Sequence, residues 1–171
     1  MPANQDHAHD VIAIGRSSVD LYGQQIGSRL EDIATFSKSV GGCPANIAVG
    51  TARLGLKSGL ITGVGAEQMG RFIIEQCARE GVATQGIKID KERLTALVLL
   101  AVEDEGVSPM IFYRPDCADM AITEDDVDEA FVRSSKSVLV SGTHFSRPNP
   151  AAAQLKAMRI AKANGGKVVF D

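Results

Sequence analysis

Short apolar runs alternate with amphipathic stretches along this chain, and each kind of segment predicts a different element. Four runs have the length and apolar character of strands buried on both faces: 11–15, 58–65, 137–145 and 167–171. Segments 42–54 and 69–81 carry apolar residues at helical spacing and end at Gly55 and Gly81, the residue type that favours a helix C-terminus. This alternation predicts an α/β fold with a doubly wound, mostly parallel sheet and helices on both faces.

Two further helices are predicted in the second half of the chain. Thr123 has the side chain of an N-cap, and acidic residues fill the turn that follows it. The buried stripe of that helix is expected to consist of Val127, Ala130 and Phe131. Asn149 and Pro150 have the pattern of an N-cap and a first helical residue. The buried face of this last helix is expected to consist of Ala151, Leu155, Met158 and Ala161.

One stretch interrupts the alternation. Residues 95–114 contain two strand-like runs around EDEGVSP, which has the punctuation of a hairpin. Two strands without an intervening helix predict an antiparallel flap, or lid, beside the main sheet. The stretch 21–37 lacks a helical period and is expected to join that flap. We therefore predict one domain over 10–171, with lid segments at about 21–37 and 95–115.

Composition narrows the class of protein. The 171 residues are 44% apolar and 23% charged, with a net charge of −3 that argues against a general nucleic-acid surface. No apolar run approaches the roughly 20 residues that span a bilayer. The start, 1–9, is expected to be a flexible tail without a signal-peptide pattern, whose His7 and His9 are solvated rather than metal ligands. Three unpaired cysteines, Cys43, Cys77 and Cys117, favour a reduced, cytoplasmic protein without zinc.

The carboxyl ends of the predicted strands form the candidate site. In open α/β sheets ligands bind beyond those ends, which places 16–20, 41–46 and 143–147 near one rim. Gly41 and Gly42 precede a helix, so they either present free N–H groups to a ligand or simply form a loop. The spacing of the later glycines in GVGAEQMG matches neither a dinucleotide motif nor a P-loop.

Individual side chains at this rim have two interpretations each. Asn46 offers both donors and acceptors, which suits a ligand rich in hydroxyls, or it is an exposed helical asparagine. Asp20 is a sugar ligand or a turn residue. Arg114, at the end of the second flap strand, and Arg16 hold a carboxylate, or they are surface arginines, Arg114 then pairing with Asp116.

Two residues near the rim are expected to have structural roles. His144 is expected to be a packed histidine at a strand end rather than a catalyst. Cys43 lies next to the paired glycines and is expected to contribute packing, since nothing near it in the sequence marks an activated thiol.

The stretch GGCPANIAVGTARLG, continuing to Gly65, resembles the first signature of the pfkB-type (ribokinase-like) carbohydrate kinases. The resemblance implies that Asp20 and Asn46 hold sugar hydroxyls and that Gly41 and Gly42 line the sugar pocket. It also implies that the flap closes over this pocket and forms a homodimer contact. Within the family, IGRSSVDLYG, GGCPANIAVG and FYRPDCADMAI look most like members that phosphorylate the 6-hydroxyl of a keto-deoxy sugar acid.

The resemblance covers only the N-terminal half of that fold. Many members have an acidic residue at the position of Ala66, to which no role is assigned. The family's catalytic base and anion hole come from a later segment of the type D-T-x-G-A-G-D, which does not occur in these 171 residues. The full-length enzyme would use ATP and Mg²⁺, and this half alone is expected to bind neither and to be inactive. The alternatives are a pfkB-type kinase for 2-keto-3-deoxygluconate, fructose or ribose, or a non-catalytic sugar-binding or dimerisation module.

Overall fold

The computed structural model of the protein describes residues 7–102 and 109–171, which form two sheets and four α-helices. The strands are β1 (His9–Ile14), β2 (Ser18–Gly23), β3 (Phe36–Gly41), β4 (Ser58–Gly65), β5 (Ala83–Asp90), β6 (Leu97–Leu100), β7 (Met110–Tyr113), β8 (Ser135–Val140) and β9 (Lys167–Phe170). The helices are α1 (Cys43–Arg53), α2 (Gln68–Arg79), α3 (Glu129–Arg133) and α4 (Pro148–Ala163). Short 3₁₀ helices occupy Leu30–Asp32, Ala118–Met120, Glu124–Asp126 and Gly142–Ser146.

The central sheet has the strand order β5-β4-β1-β8-β9, and all of its pairings are parallel. Because side chains alternate along a strand, β1 serves both faces. Ile12 and Ile14 pack in a core with α3 and α4, whereas Val11 and Ala13 pack in a second core with α1 and α2. The predicted doubly wound sheet with helices on both faces is confirmed.

The second sheet, which we call the lid sheet, has the order β3-β2-β6-β7. β2 pairs with β3 antiparallel and with β6 parallel, and β6 pairs with β7 antiparallel. One face of the lid sheet, including Val19, Val40 and Leu97, packs on the core that holds α1 and α2. The predicted flap is thus confirmed. Most of the EDEGVSP turn lies outside the described residues.

The region after β7 differs from the predictions in detail. The expected helix after Thr123 is a 3₁₀ turn closed by a capping box between Thr123 and Asp126, followed by α3, which Asp128 caps. Ala130 is exposed, and Val132 takes its place in the core. The strand expected to reach residue 145 ends at Val140.

The last helix matches the predicted buried face only in part: Ala161 is buried and Met158 packs on the core, as expected. α4 begins at Pro148 after Arg147, so Asn149 lies inside the helix and is not its cap. Leu155 is exposed, and the buried residues are Pro150, Ala153, Gln154, Ala157, Ile160 and Ala161. The side-chain amide of Gln154 accepts from Ser141 N at 2.8 Å and donates to Ser141 O at 3.0 Å. These two bonds at the end of β8 explain why a polar residue faces the core.

At the N-terminus the ordered structure includes His9, which was expected to belong to a flexible tail. His9 begins β1, its Nδ1 lies 2.8 Å from the Ser134 hydroxyl, and its ring packs edge-on against Phe131 at 5.2 Å. The described residues contain no group of three His, Cys, Asp or Glu side chains that could hold a metal. Within the same ranges, no helix has the length and apolar character needed to cross a bilayer.

Candidate functional site

Asp20 lies on the face of the lid sheet that does not pack on the α1–α2 core. Its position in β2 is opposite Ser39 of β3, and the Ser18 hydroxyl donates to its carboxylate at 2.7 Å. The side chain is half-buried, and this burial raises the pKa of Asp20 above its usual value. A carboxylate with free acceptor capacity in a sheltered position can take hydrogen bonds from the hydroxyls of a ligand.

The paired glycines leave room for the Asp20 carboxylate and for the close approach of the Arg16 backbone. The Asp20 carboxylate occupies the position where a Cβ on Gly41 would lie. Gly42 has a φ of +93°, and a Cβ there would be 2.6 Å from the Arg16 carbonyl oxygen. Any other residue would therefore be strained or would clash. Gly42 is also the N-cap of α1, so the first turn of that helix points toward this part of the molecule.

Arg114 lies on the same face of the lid sheet as Asp20. Asp20 pairs with Val98 and Val98 pairs with Phe112, so positions 112 and 114 share that face. The guanidinium of Arg114 lies 4.0 Å from the centroid of the Phe112 ring. Within the described ranges no carboxylate lies within ion-pair distance of it. The alternative pairing with Asp116 is wrong, because Asp116 binds Arg93 at 3.1 Å.

Arg16 is not a surface arginine. It is 8% exposed, and its Nε donates to Oδ2 of Asp119 at 2.5 Å. Asp119 is 1% exposed, and its burial raises its pKa against the opposing effect of Arg16. Asp119 was not among the candidate residues predicted from the sequence. Its only signal was its place in FYRPDCADMAI, where an acidic residue follows Arg114 within a short, mostly apolar stretch.

His144 is a packed histidine, as predicted. It is fully buried in the 3₁₀ helix after β8, and burial, with the nearby charge of Arg16, lowers its pKa to about 4. The imidazole is therefore neutral at physiological pH. Neither ring nitrogen has a hydrogen-bond partner among the described residues.

Asn46 lies beside this group in a neighbouring cavity. It is exposed on α1, and with Ser39 and Phe72 it lines a cavity of about 350 Å³ between β3, α1 and α2. Ser39, the cross-strand neighbour of Asp20, also lines this cavity. The structure thus brings Asp20 and the paired glycines Gly41 and Gly42 together, whereas Asn46 lines the cavity between β3, α1 and α2.

Cys43 differs from its predicted role. It is exposed at the start of α1, and its thiol donates to Oδ2 of Asp171 at 2.7 Å, so the expected packing role is wrong. Desolvation and the neighbouring carboxylate raise the pKa of this thiol to about 11. It is therefore not an activated nucleophile, as the sequence indicated.

Comparison with known proteins identifies the class of molecule in which this geometry occurs. Residues 8–171 match the family model described as pfkB family carbohydrate kinase. The chain is 41% identical over 167 residues to the 5-dehydro-2-deoxygluconokinase of Halalkalibacterium halodurans, an alignment that covers 97% of this chain and 50% of that protein. The chain spans about half the length of the curated relatives it matches.

Solved structures give the same result for the fold. The PfkB protein from Polaromonas sp. JS666 superposes with a TM-score of 0.89 at 29% identity, over 95% of this chain and 55% of that one. A putative ribokinase II from E. coli, solved in complex with ATP and Mg²⁺, has a TM-score of 0.88 at 26% identity, over 95% of this chain and 52% of that one.

Proposed function

Because the chain belongs to the pfkB family of carbohydrate kinases, we propose that it forms the sugar-binding part of a kinase for a keto-deoxy sugar acid. The substrate is 5-dehydro-2-deoxygluconate, which the relatives' name indicates, and the phosphoryl group goes to its 6-hydroxyl, as in inositol catabolism. The observation that carries this proposal is the placement of Asp20 and Arg114 on one face of the lid sheet. A hydroxyl-rich molecule with one carboxylate needs both an acceptor and a cation.

Each site residue has a separate task in this proposal. Asp20 accepts hydrogen bonds from substrate hydroxyls, and Gly41 and Gly42 allow the substrate to approach the backbone. Arg114 binds the carboxylate, since the described residues provide it with no carboxylate partner of their own. We also assign Asn46 to the sugar hydroxyls, as the resemblance to the family implies. Arg16 has a supporting role beneath the site, because its buried guanidinium is bonded to Asp119 and is not exposed to the substrate.

Phosphoryl transfer needs further groups. A base must take the proton of the attacking hydroxyl, and positive groups must stabilise the migrating phosphoryl. We place the base and the sites for ATP and Mg²⁺ in a segment outside these 171 residues, since the D-T-x-G-A-G-D pattern is absent from them. The chain alone is expected to bind sugar acid without turning it over. The three free cysteines of the chain suit the reducing cytoplasm, where we place the protein.

Ligand titrations of the purified chain, followed by NMR or calorimetry, test the assignment. We expect 5-dehydro-2-deoxygluconate to bind more tightly than fructose or ribose. Arg114→Met should lower the affinity for the acid about tenfold or more while leaving the neutral sugars nearly unchanged, because a charge-assisted contact is lost. The control Arg159→Met, an exposed residue of α4, should change neither. Tighter binding of 2-keto-3-deoxygluconate would keep the acid class and change the substrate; tighter binding of ribose or fructose would overturn the acid class.

A homodimer through the lid sheet is a second proposal, carried by its outer strand. Met110, Ile111, Phe112 and Tyr113 of β7 are between 44% and 54% exposed, and among the described residues β7 pairs with β6 alone. An unpaired apolar edge is a surface that a second copy of the strand can cover. Sedimentation of the chain and of Ile111→Lys measures this: the dimer should dissociate in the variant. A monomeric parent chain would contradict it.

A further inference from the structure

Four charges of alternating sign lie around the candidate site. Arg16 and Asp119 form a buried pair, and Arg114 and Asp20 lie on the lid sheet. Partial burial lowers the pKa of Arg114, the charge of Arg16 lowers it further, and Asp119 and Asp20 raise it. The charge of Arg16 thus opposes that of Arg114, and the two carboxylates offset part of this effect.

The buried pair connects the central sheet to the segment that carries Arg114. Arg16 follows β1, and its carbonyl oxygen lies against Gly42. Asp119 lies five residues after Arg114 in a 3₁₀ helix, and the neighbouring Ala118 carbonyl lies against Gly63 of β4. A change at Asp119 therefore acts on the end of the central sheet and on the exit from the lid sheet together.

A single hydrogen bond joins the two members of the pair. Nη2 of Arg16 and Oδ1 of Asp119 are both buried without a partner among the described residues. Only one of the two parallel hydrogen bonds that a guanidinium and a carboxylate can form is therefore present. Removing Asp119 would leave a buried guanidinium without its counter-charge, which is strongly unfavourable. The positive charge of Arg16 would then act on Arg114 unopposed, except by Asp20.

We propose that Asp119 is a positioning residue that sets the selectivity for an acidic substrate. By neutralising Arg16 beneath the site, it leaves Arg114 as the arginine that faces the substrate carboxylate. Without Asp119, the ion pair that ties the segment after Arg114 to the end of β1 is lost, and Arg114 is no longer held on the substrate face of the lid sheet. This inference rests on the proposed function, because it assigns Arg114 to the carboxylate.

Three variants separate this role from a purely structural one. Asp119→Asn removes the charge but keeps the size of the side chain. The double variant Arg16→Met/Asp119→Leu replaces the buried pair by apolar groups, an exchange that proteins often tolerate. Asp125→Asn, an exposed residue of the 3₁₀ turn before α3, is the matched control. The readouts are thermal unfolding, the NMR signal of the Arg114 Nε–H group, and the ratio of the affinity for 5-dehydro-2-deoxygluconate to that for fructose.

We expect Asp119→Asn to shift the Arg114 signal and to lower the affinity ratio about tenfold, because truncation of one partner of a buried charge pair has effects of at least this size. The double variant should restore both readouts to within about twofold of the parent chain. The control should leave all readouts unchanged. If Asp119→Asn does not fold, Asp119→Glu decides, because it keeps the negative charge but displaces the carboxylate: a lowered ratio with a shifted Arg114 signal supports the proposal, and an unchanged ratio contradicts it.

Two results would overturn the inference without touching the proposed function. An unchanged ratio in a folded Asp119→Asn variant would make Asp119 structural only, whatever the melting temperature. A lost ratio in the double variant would also contradict it. A parent chain without preference for the acid would instead overturn the proposed function, and the Arg114 signal would still show whether Asp119 positions that side chain.

Discussion

The central sheet and the lid sheet are built from similar apolar strands, but they meet solvent differently. All eight residues of β4 in the central sheet are buried, whereas all four residues of β7 in the lid sheet are exposed. Helices cover both faces of the central sheet, whereas one face of the lid sheet packs on the core with α1 and α2 and the other carries the half-buried Asp20. The first sheet therefore carries the stability of the molecule, and the second leaves a face on which ligand-binding groups remain accessible.

The polar groups of the two sheets differ in the same way. Arg16, at the end of central strand β1, is buried against a carboxylate. Arg114, at the end of lid strand β7, is only partly buried and lies over an exposed aromatic ring. An arginine that is already paired contributes to the scaffold, while an arginine without a carboxylate partner is available to a ligand.

A core truncation in the central sheet should have the largest effect. Ile12→Ala removes a fully buried side chain of β1 and should lower the free energy of unfolding by about 2–5 kcal/mol, since a cavity is left behind. Ile111→Ala in β7, 44% exposed, should change it by less than about 0.5 kcal/mol in the chain at monomeric concentration. Urea unfolding of both variants measures the difference. Equal losses would show that the lid sheet is as important to stability as the central sheet.

A substitution at the junction of the sheets should have the next largest effect. Gly42→Ala places a methyl group 2.6 Å from the Arg16 carbonyl oxygen at a φ of +93°. Strain of this kind costs about 1–3 kcal/mol of unfolding free energy. The substitution should also weaken sugar-acid binding. Gly50→Ala in the same helix meets open space and should stabilise the chain by about 0.5–1 kcal/mol. If both substitutions change the free energy of unfolding in the same direction, the close approach of the backbone at Gly42 is not needed.

Acid should destabilise the central sheet through His144. Its pKa is lowered to about 4 in the folded state, so the unfolded chain binds more protons once the pH falls below about 6.5. Stability should therefore decrease from pH 7 to pH 5, by about 2 kcal/mol from this group alone. In His144→Gln this component should be absent, which urea unfolding at the two pH values can measure. An unchanged slope would mean that the imidazole is protonated in the folded protein.

The smallest effect is expected outside both sheets. Arg53 of α1 makes two hydrogen bonds with Glu80 at the end of α2, at 2.6 and 2.7 Å; Arg53 is exposed and Glu80 is partly buried. Surface ion pairs contribute little and are screened by salt. Arg53→Met should lower the melting temperature slightly at low salt and not at all in high salt. A loss that persists in high salt would assign the Arg53 side chain a packing role between the helices.

Strands were predicted well where an unbroken apolar run in the sequence marked them. The run 58–65 coincides with β4 because an unbroken apolar segment between glycine-rich and polar stretches fits only a strand covered on both faces. The buried face of α4 was predicted only in part, because alanines occur on all sides of that helix and leave no clear apolar stripe. Its orientation is fixed by Gln154, whose bonds to Ser141 depend on a neighbour thirteen residues away.

The candidate site shows the same division. Asp20, Gly41 and Gly42 were found from the sequence because a polar residue and two glycines at strand ends are local signals, and the structure places them in contact. Asp119 was not found because its partner, Arg16, is 103 residues distant in sequence. Cys43 was expected to be packed, but it contacts Asp171 at the end of β9, a pairing that no local pattern indicates.

The sequence by itself determined the two kinds of sheet, the helices between the central strands and the glycines that open the site, because these features depend on periodicity and on the backbone freedom of single residues. The tertiary structure alone decided which arginine is buried, which is left for a ligand, and which face of α4 packs on the sheet. Those outcomes follow from the distance between charges and from burial, and both are set only when segments remote in sequence pack together.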